Sequence, residues 1–109
     1  VNAYYIPYPI LLEVQQVRPE TLFPDGLDSI DVGGTQVRKG SIASFVHNAL
    51  ALERLDPGSS EYERTAAEMR ETIPALRAVR VFDVFSLRSQ RAATVVLEVD
   101  PLLISPRQV

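Results

Sequence analysis

The chain contains no cysteine and no tryptophan, and His47 is its one histidine. Its fold must therefore be held by buried apolar surface and hydrogen bonds, with no disulfide and no Cys/His metal cluster to staple it. The same absence removes thiol nucleophiles, CxxC redox pairs and multi-histidine metal centres within one copy. A chain of 109 residues can fold without such help. At that size a single domain buries roughly two-thirds of its unfolded surface. The expected organisation is one domain over residues 1–109, with 1–9 as an extended N-terminal arm, and no cofactor.

Hydrophobic residues at 46% and charged residues at 23% place the chain among ordinary globular domains and not among disordered ones. A net charge of −3 and a pI near 5.1 argue against a general nucleic-acid binder, which needs cations to displace phosphate counterions. No apolar run approaches the ~18 residues of a membrane span, so no membrane is expected. The first residues lack the basic region and apolar core of a signal peptide, which points to the cytoplasm. The chain starts at Val1 and not at Met, so a leader removed before Val1 stays open. Lys39 is the single lysine, a bias that reads as the codon usage of a GC-rich bacterium.

Prolines 7 and 9 among Tyr4, Tyr5 and Tyr8 force the first residues to be extended. Residues 10–17 alternate apolar and polar and read as a strand. Pro24-Asp25-Gly26 marks a loop. Residues 29–38 read as a hairpin around Gly33-Gly34, because two glycines tolerate the positive φ of a two-residue turn. That turn sets Val32 against Thr35, Ile30 against Val37 and Asp28 against Lys39, an agreement of apolar with apolar and acid with base.

Ser41 reads as the cap of a helix running to about Leu55. Ile42, Phe45, Val46, Ala49, Leu50 and Leu52 give it a broad apolar face, which predicts a mostly buried helix. Ser60 and Glu63 have the spacing of a capping box for a second helix. Tyr62, Ala66, Met69, Ile73 and Leu76 form its stripe, with Arg64, Glu68 and Glu71 opposite. Pro74 interrupts that stripe, which keeps its phase, so the helix is expected to be kinked there, or broken with Thr72 capping a new one. Residues 81–85 and 94–99 read as strands, the first also open to continuing the helix, and 101–105 as a last short strand. The predicted fold class is α+β, a small antiparallel sheet with two helices on one face.

Lys39-Gly40-Ser41-Ile42-Ala43-Ser44 with His47-Asn48, and Ile73-Pro74-Ala75-Leu76 with Phe82-Asp83-Val84-Phe85, resemble a family of small uncharacterised bacterial proteins. The resemblance covers the middle of the chain. A glycine expected to close the helix is replaced by Arg80. The family carries no established activity, so the resemblance assigns no functional residue.

Candidate chemistry is sparse. His47 and Asn48 flank the apolar arc of their helix, and His47 is a candidate general base or pH-sensitive contact. No partner acid or nucleophile is placed beside it, and a histidine bonded to a carbonyl explains it as well. Asp25, Asp28 and Asp31 are candidate metal ligands in a glycine-containing loop, although their spacing is not that of an EF-hand. Lys39-Gly40-Ser41 offers amides, a lysine and a hydroxyl to an anion, or is simply a hairpin-to-helix junction. Arg77, Arg80, Arg88 and Arg91 make a basic cluster that is more simply a solvated surface. Tyr4, Tyr5 and Tyr8 are candidate interface residues, since tyrosine brings large contact area at low entropic cost, in an arm that either docks on a second copy or packs on its own domain. The functional expectation is a non-catalytic interaction protein that self-associates as a homodimer. The alternative is a small-molecule-binding protein, or a carboxylate/His acid–base enzyme, with a pocket near His47.

Overall fold

The structure, a computed structural model, describes the main chain of residues 3–6 and all of residues 16–104. Three strands form one sheet in the order β1 (Ala3–Ile6), β2 (Ser29–Val32), β3 (Thr35–Arg38). β2 and β3 make the expected hairpin, with Ile30 opposite Val37 and Val32 opposite Thr35. Gly33 and Gly34 have φ of 55° and 94°, the left-handed geometry a two-residue turn demands. Asp31 Oδ1 accepts from Gly34 N at 2.8 Å, and Lys39 N donates to Asp28 O at 2.8 Å, extending the ladder one step.

β1 pairs parallel to β2, with Tyr4 opposite Ile30 and Ile6 opposite Val32. The sheet is therefore mixed and not wholly antiparallel. A parallel pair cannot be joined by a tight turn, and α1 (Pro19–Leu22) lies in the connection. Pro19 opens α1, where its missing N–H has no helical partner to lose. The strand expected over 10–17 falls mostly outside the described residues. Gln16 and Val17 are exposed and in no strand.

Two longer helices follow, α2 (Ser41–Leu52) and α3 (Ser60–Ala78). α3 joins two apolar clusters. Its Ala75 packs with Ile30, Val32 and Val37 on one face of the sheet, and Leu22 and Phe23 of the α1 region add to that cluster. Its Ala66, Met69, Ile73 and Leu76 pack with Phe45 and Leu52 of α2 and with Ala92, Val95 and Val96 further on. Leu52, Met69, Ile73 and Leu76 are fully buried, and each such side chain is worth roughly 1.5–3 kcal/mol relative to exposure. Among the described residues, no buried side-chain polar atom lacks a partner.

α3 runs through Pro74 without a break. Buried Ile73, Ala75 and Leu76 on either side hold it against both clusters, which offsets the one backbone bond that proline removes. Thr72 Oγ1 donates to Met69 O at 2.8 Å and caps no new helix. The cap of α3 is Ser59, one residue before the expected box, with its hydroxyl accepting from Tyr62 N at 3.1 Å. α2 likewise starts from Gly40, at φ 87°, while Ser41 Oγ donates to Arg38 O at 2.7 Å.

Arg80 stands where a closing glycine is usual, and it takes glycine's conformation, with φ 65° and ψ 36°. It is the one non-glycine residue with positive φ among the described residues. Val79 N bonds Ala75 O and Arg80 N bonds Arg77 O, a left-handed helix end.

The two strands expected after this point are helices. Residues 81–85 form a single turn, α4 (Val81–Val84), whose Phe82 meets Phe45 edge-on at 6.1 Å between ring centroids. Residues 90–99 form α5 (Gln90–Val99), capped by Ser89 Oγ accepting from Ala92 N at 3.0 Å. Its buried set Ala92, Ala93, Val95, Val96 has helical spacing. Residues 101–104 are turn and bend, not strand. Arg91 ties α5 to the end of α2: its Nη1 donates to Leu52 O at 2.5 Å and to Leu55 O at 2.9 Å, and its guanidinium lies 5.6 Å from the Tyr62 ring. Leu52 O also accepts from Leu55 N at 3.3 Å, in the turn that closes α2. The fold class is α+β, with α3 as the shared spine.

Candidate functional site

α2 carries the feature that most needs an explanation. At about 100° per residue, Leu52, Phe45, Ala49, Ile42, Val46 and Leu50 follow one another around roughly 160° of the helix surface. α3 and α5 cover only half of that arc. Phe45 is 4% exposed and Leu52 0%, whereas Ile42 is 50%, Val46 49% and Leu50 63% exposed. The expectation of a mostly buried helix is corrected. The three exposed side chains sit at i, i+4 and i+8, one ridge along the helix.

The connector after α3 runs beside this ridge. Phe82 is fixed on Phe45, and Ser89 Oγ donates to Glu53 Oε2 at 2.6 Å. Between these anchors lie Val84 and Phe85, 76% and 67% exposed. Isolated exposed apolar residues are ordinary; along α2 three of them line up on one ridge.

His47 and Asn48 flank the same helix. His47 is exposed and lines an open groove of about 590 Å³ with Leu50, Ala51, Arg54, Leu55, Glu61 and Thr65. Asn48 is half-buried and faces a second groove with Glu61, Arg64, Thr65 and Glu68. The two residues share α3 neighbours and line two different grooves, neither of them a deep polar pocket.

Asp25, Asp28 and Asp31 do not converge. Asp31 is committed to the hairpin turn, and no group of three or more potential ligands that could hold a metal exists among the described residues. Lys39-Gly40-Ser41 is the hairpin-to-helix junction, with Ser41 bonded to Arg38 O. The basic cluster is largely structural. Arg77 Nη1 donates to Asp100 Oδ2 at 3.0 Å, Arg80 bonds Asp83, and Arg91 holds the end of α2. The Arg77 bond, with the Leu102 amide second, holds the Asp100 carboxyl below its ordinary range. Tyr4 and Tyr5 lie on β1, whose side chains fall outside the described residues, as does all of Tyr8.

One apolar cavity of about 250 Å³ lies between the sheet, α1, the start of α2 and the end of α3. Leu22, Phe23, Ile30, Val37, Ala75 and Val79 line it, and Ile42 of the α2 ridge reaches its wall. The Ser41 hydroxyl at its rim already has a partner, so the described lining supplies few polar groups to orient a ligand.

Sequence reasoning found the residues of the ridge but assigned them to the core. The one available signal was the width of the apolar arc, which exceeds what one-sided packing of a surface helix requires. No helix among the described residues is long and apolar enough to cross a membrane. The chain matches no protein-family model, no curated protein and no solved structure.

Proposed function

We propose that this is a non-catalytic interaction protein that self-associates as a homodimer. The observation that carries the reading is the uncovered half of the α2 arc, Ile42, Val46 and Leu50, about half exposed or more beside the buried Phe45 and Leu52. Exposing them to water forgoes burial worth roughly 25 cal/mol per Å², which a second surface recovers on association. The resemblance to small bacterial proteins without assigned chemistry, and a cytoplasmic location, belong to the same reading.

The competing reading, a ligand-binding or acid–base site at His47, draws less support. His47 lies on an open groove whose described lining holds one carboxylate, Glu61. General acid–base catalysis needs a sheltered site with groups of opposed protonation preference. Light scattering on the intact chain at tens of micromolar tests the proposal. Twice the mass of 12.1 kDa is the expected result, and a single-chain mass defeats it.

A further inference from the structure

We propose that the apolar cavity between the sheet, α1, α2 and α3 is a binding site for a compact, uncharged hydrocarbon ligand, a fused two-ring aromatic of naphthalene size. The site stands apart from the self-association reading, although Ile42 belongs to both the ridge and the cavity wall.

The hollow opens where small residues of three elements meet. Gly40, at φ 87°, turns the chain from β3 into α2, and Ala43 follows in the first turn of that helix. Ala75 is the residue α3 sets against Ile30 and Val37. Larger side chains at these positions would close the space that Leu22, Phe23 and Val79 border. Those three are only half-buried, so an occupant that covers them removes further apolar area from water.

The lining selects the chemistry of the occupant. A buried water needs roughly 2–4 polar partners. Two lining residues have polar side chains, Arg38 and Ser41. The Ser41 hydroxyl is committed as donor to Arg38 O at 2.7 Å. Arg38 is exposed, and side chains alternate along β3, so with Val37 turned inward its guanidinium lies on the other face of the sheet. A charged ligand would lose its hydration without a countercharge in the wall. An uncharged apolar one meets matching atoms on most sides and restores the dispersion contacts that an empty hollow forfeits. Size narrows the class further. An apolar cavity of ~150 Å³ accepts benzene. At about 250 Å³ this one has room for a second fused ring, and Phe23 in its wall offers an aromatic partner.

Naphthalene is the probe, titrated to its solubility limit into the intact protein carrying 13C-labelled methyl groups. Saturable shifts of the Ile30, Val37 and Val79 methyls are expected, with the Leu52 and Val96 methyls of the other cluster unmoved. 1-Naphthoate, with the same rings and a carboxylate, should bind about tenfold more weakly or worse. Ala75→Leu adds three carbons to the wall and should weaken naphthalene binding about tenfold or more. Val79→Phe narrows the half-buried rim with the same expected loss, and it decides the point if Ala75→Leu does not fold. Val46→Ser, on the ridge and outside the lining, should leave the affinity unchanged. No saturable shift, shifts centred on Val46 and Leu50, 1-naphthoate binding as tightly as naphthalene, or full affinity in the folded cavity variants overturns the site. Light scattering reads self-association separately, so either reading can fail without the other.

Discussion

Truncating Ile73 to alanine tests whether α3 is the spine of the domain. Ile73 is 0% exposed and sits in the cluster shared by α2, α3 and α5. The change removes three carbons, at about 0.8 kcal/mol each of transfer free energy, or roughly 2.4 kcal/mol. A residual cavity of about 50 Å³ adds about 1.2 kcal/mol at ~24 cal/mol per Å³. Alanine's better helix propensity returns about 0.4 kcal/mol. The net loss is about 3 kcal/mol, within the range of ~2–5 kcal/mol for such truncations. For a domain of this size that is a fall in Tm of roughly 12 °C. Arg70→Ala, one turn away, is the control. Its guanidinium is 3.4 Å from Glu98 and 3.8 Å from Glu63, with all three side chains substantially exposed. Exposed pairs of this kind are worth little, so the loss should stay within about 0.5 kcal/mol. Urea unfolding followed by far-UV circular dichroism measures both. Equal midpoint shifts at unchanged slope would refute the assignment of α3's buried and exposed faces.

Replacing Gly33 and Gly34 together with valine should cost about 2 kcal/mol or more, since both positions need positive φ and β-branched residues resist it; an unchanged melting temperature excludes this turn. Arg80→Gly should stabilise by roughly 1 kcal/mol by relieving a left-handed residue at φ 65°, less the small worth of the Arg80–Asp83 pair; a lower Tm contradicts the strain. Asp100→Asn should flatten the acid limb of the stability–pH profile. The folded-state carboxyl is held below the ordinary value of 3.8 chiefly by Arg77. Its contribution is therefore present above that value and lost as pH falls through the lowered one. Parallel pH profiles for the two proteins would show that this contact does not contribute.

The elements legible in the sequence are those fixed locally. Gly33-Gly34 determined the hairpin register because only that register paired Ile30 with Val37 and acid with base. The α3 stripe held its phase through Pro74 because tertiary packing at Ile73, Ala75 and Leu76 outweighs one missing hydrogen bond. α5 was misread for the opposite reason. Thr94–Val99 alternates apolar and polar, and its β-branched residues favour strands, yet Ser89 caps a helix whose Ala92, Ala93, Val95 and Val96 meet the core at helical spacing. Short apolar runs of this kind fit both periods, and the core decides between them. Parallel pairing of β1 with β2 depends on a crossover, which no local pattern encodes. The exposure of Ile42, Val46 and Leu50 was hidden similarly: a helical pattern says which side chains are apolar, not how much of their arc the rest of the chain can reach.

Sedimentation velocity of the intact protein beside Val46→Glu, over a range of concentrations, tests the central claim most directly. Val46 is 49% exposed in the single chain, so a glutamate there leaves the core untouched, but association through the α2 ridge would bury a carboxylate from each copy. The account predicts a dimer for the intact chain and a monomer with an unchanged circular dichroism spectrum for Val46→Glu. A folded variant that sediments as the same dimer would contradict association through α2.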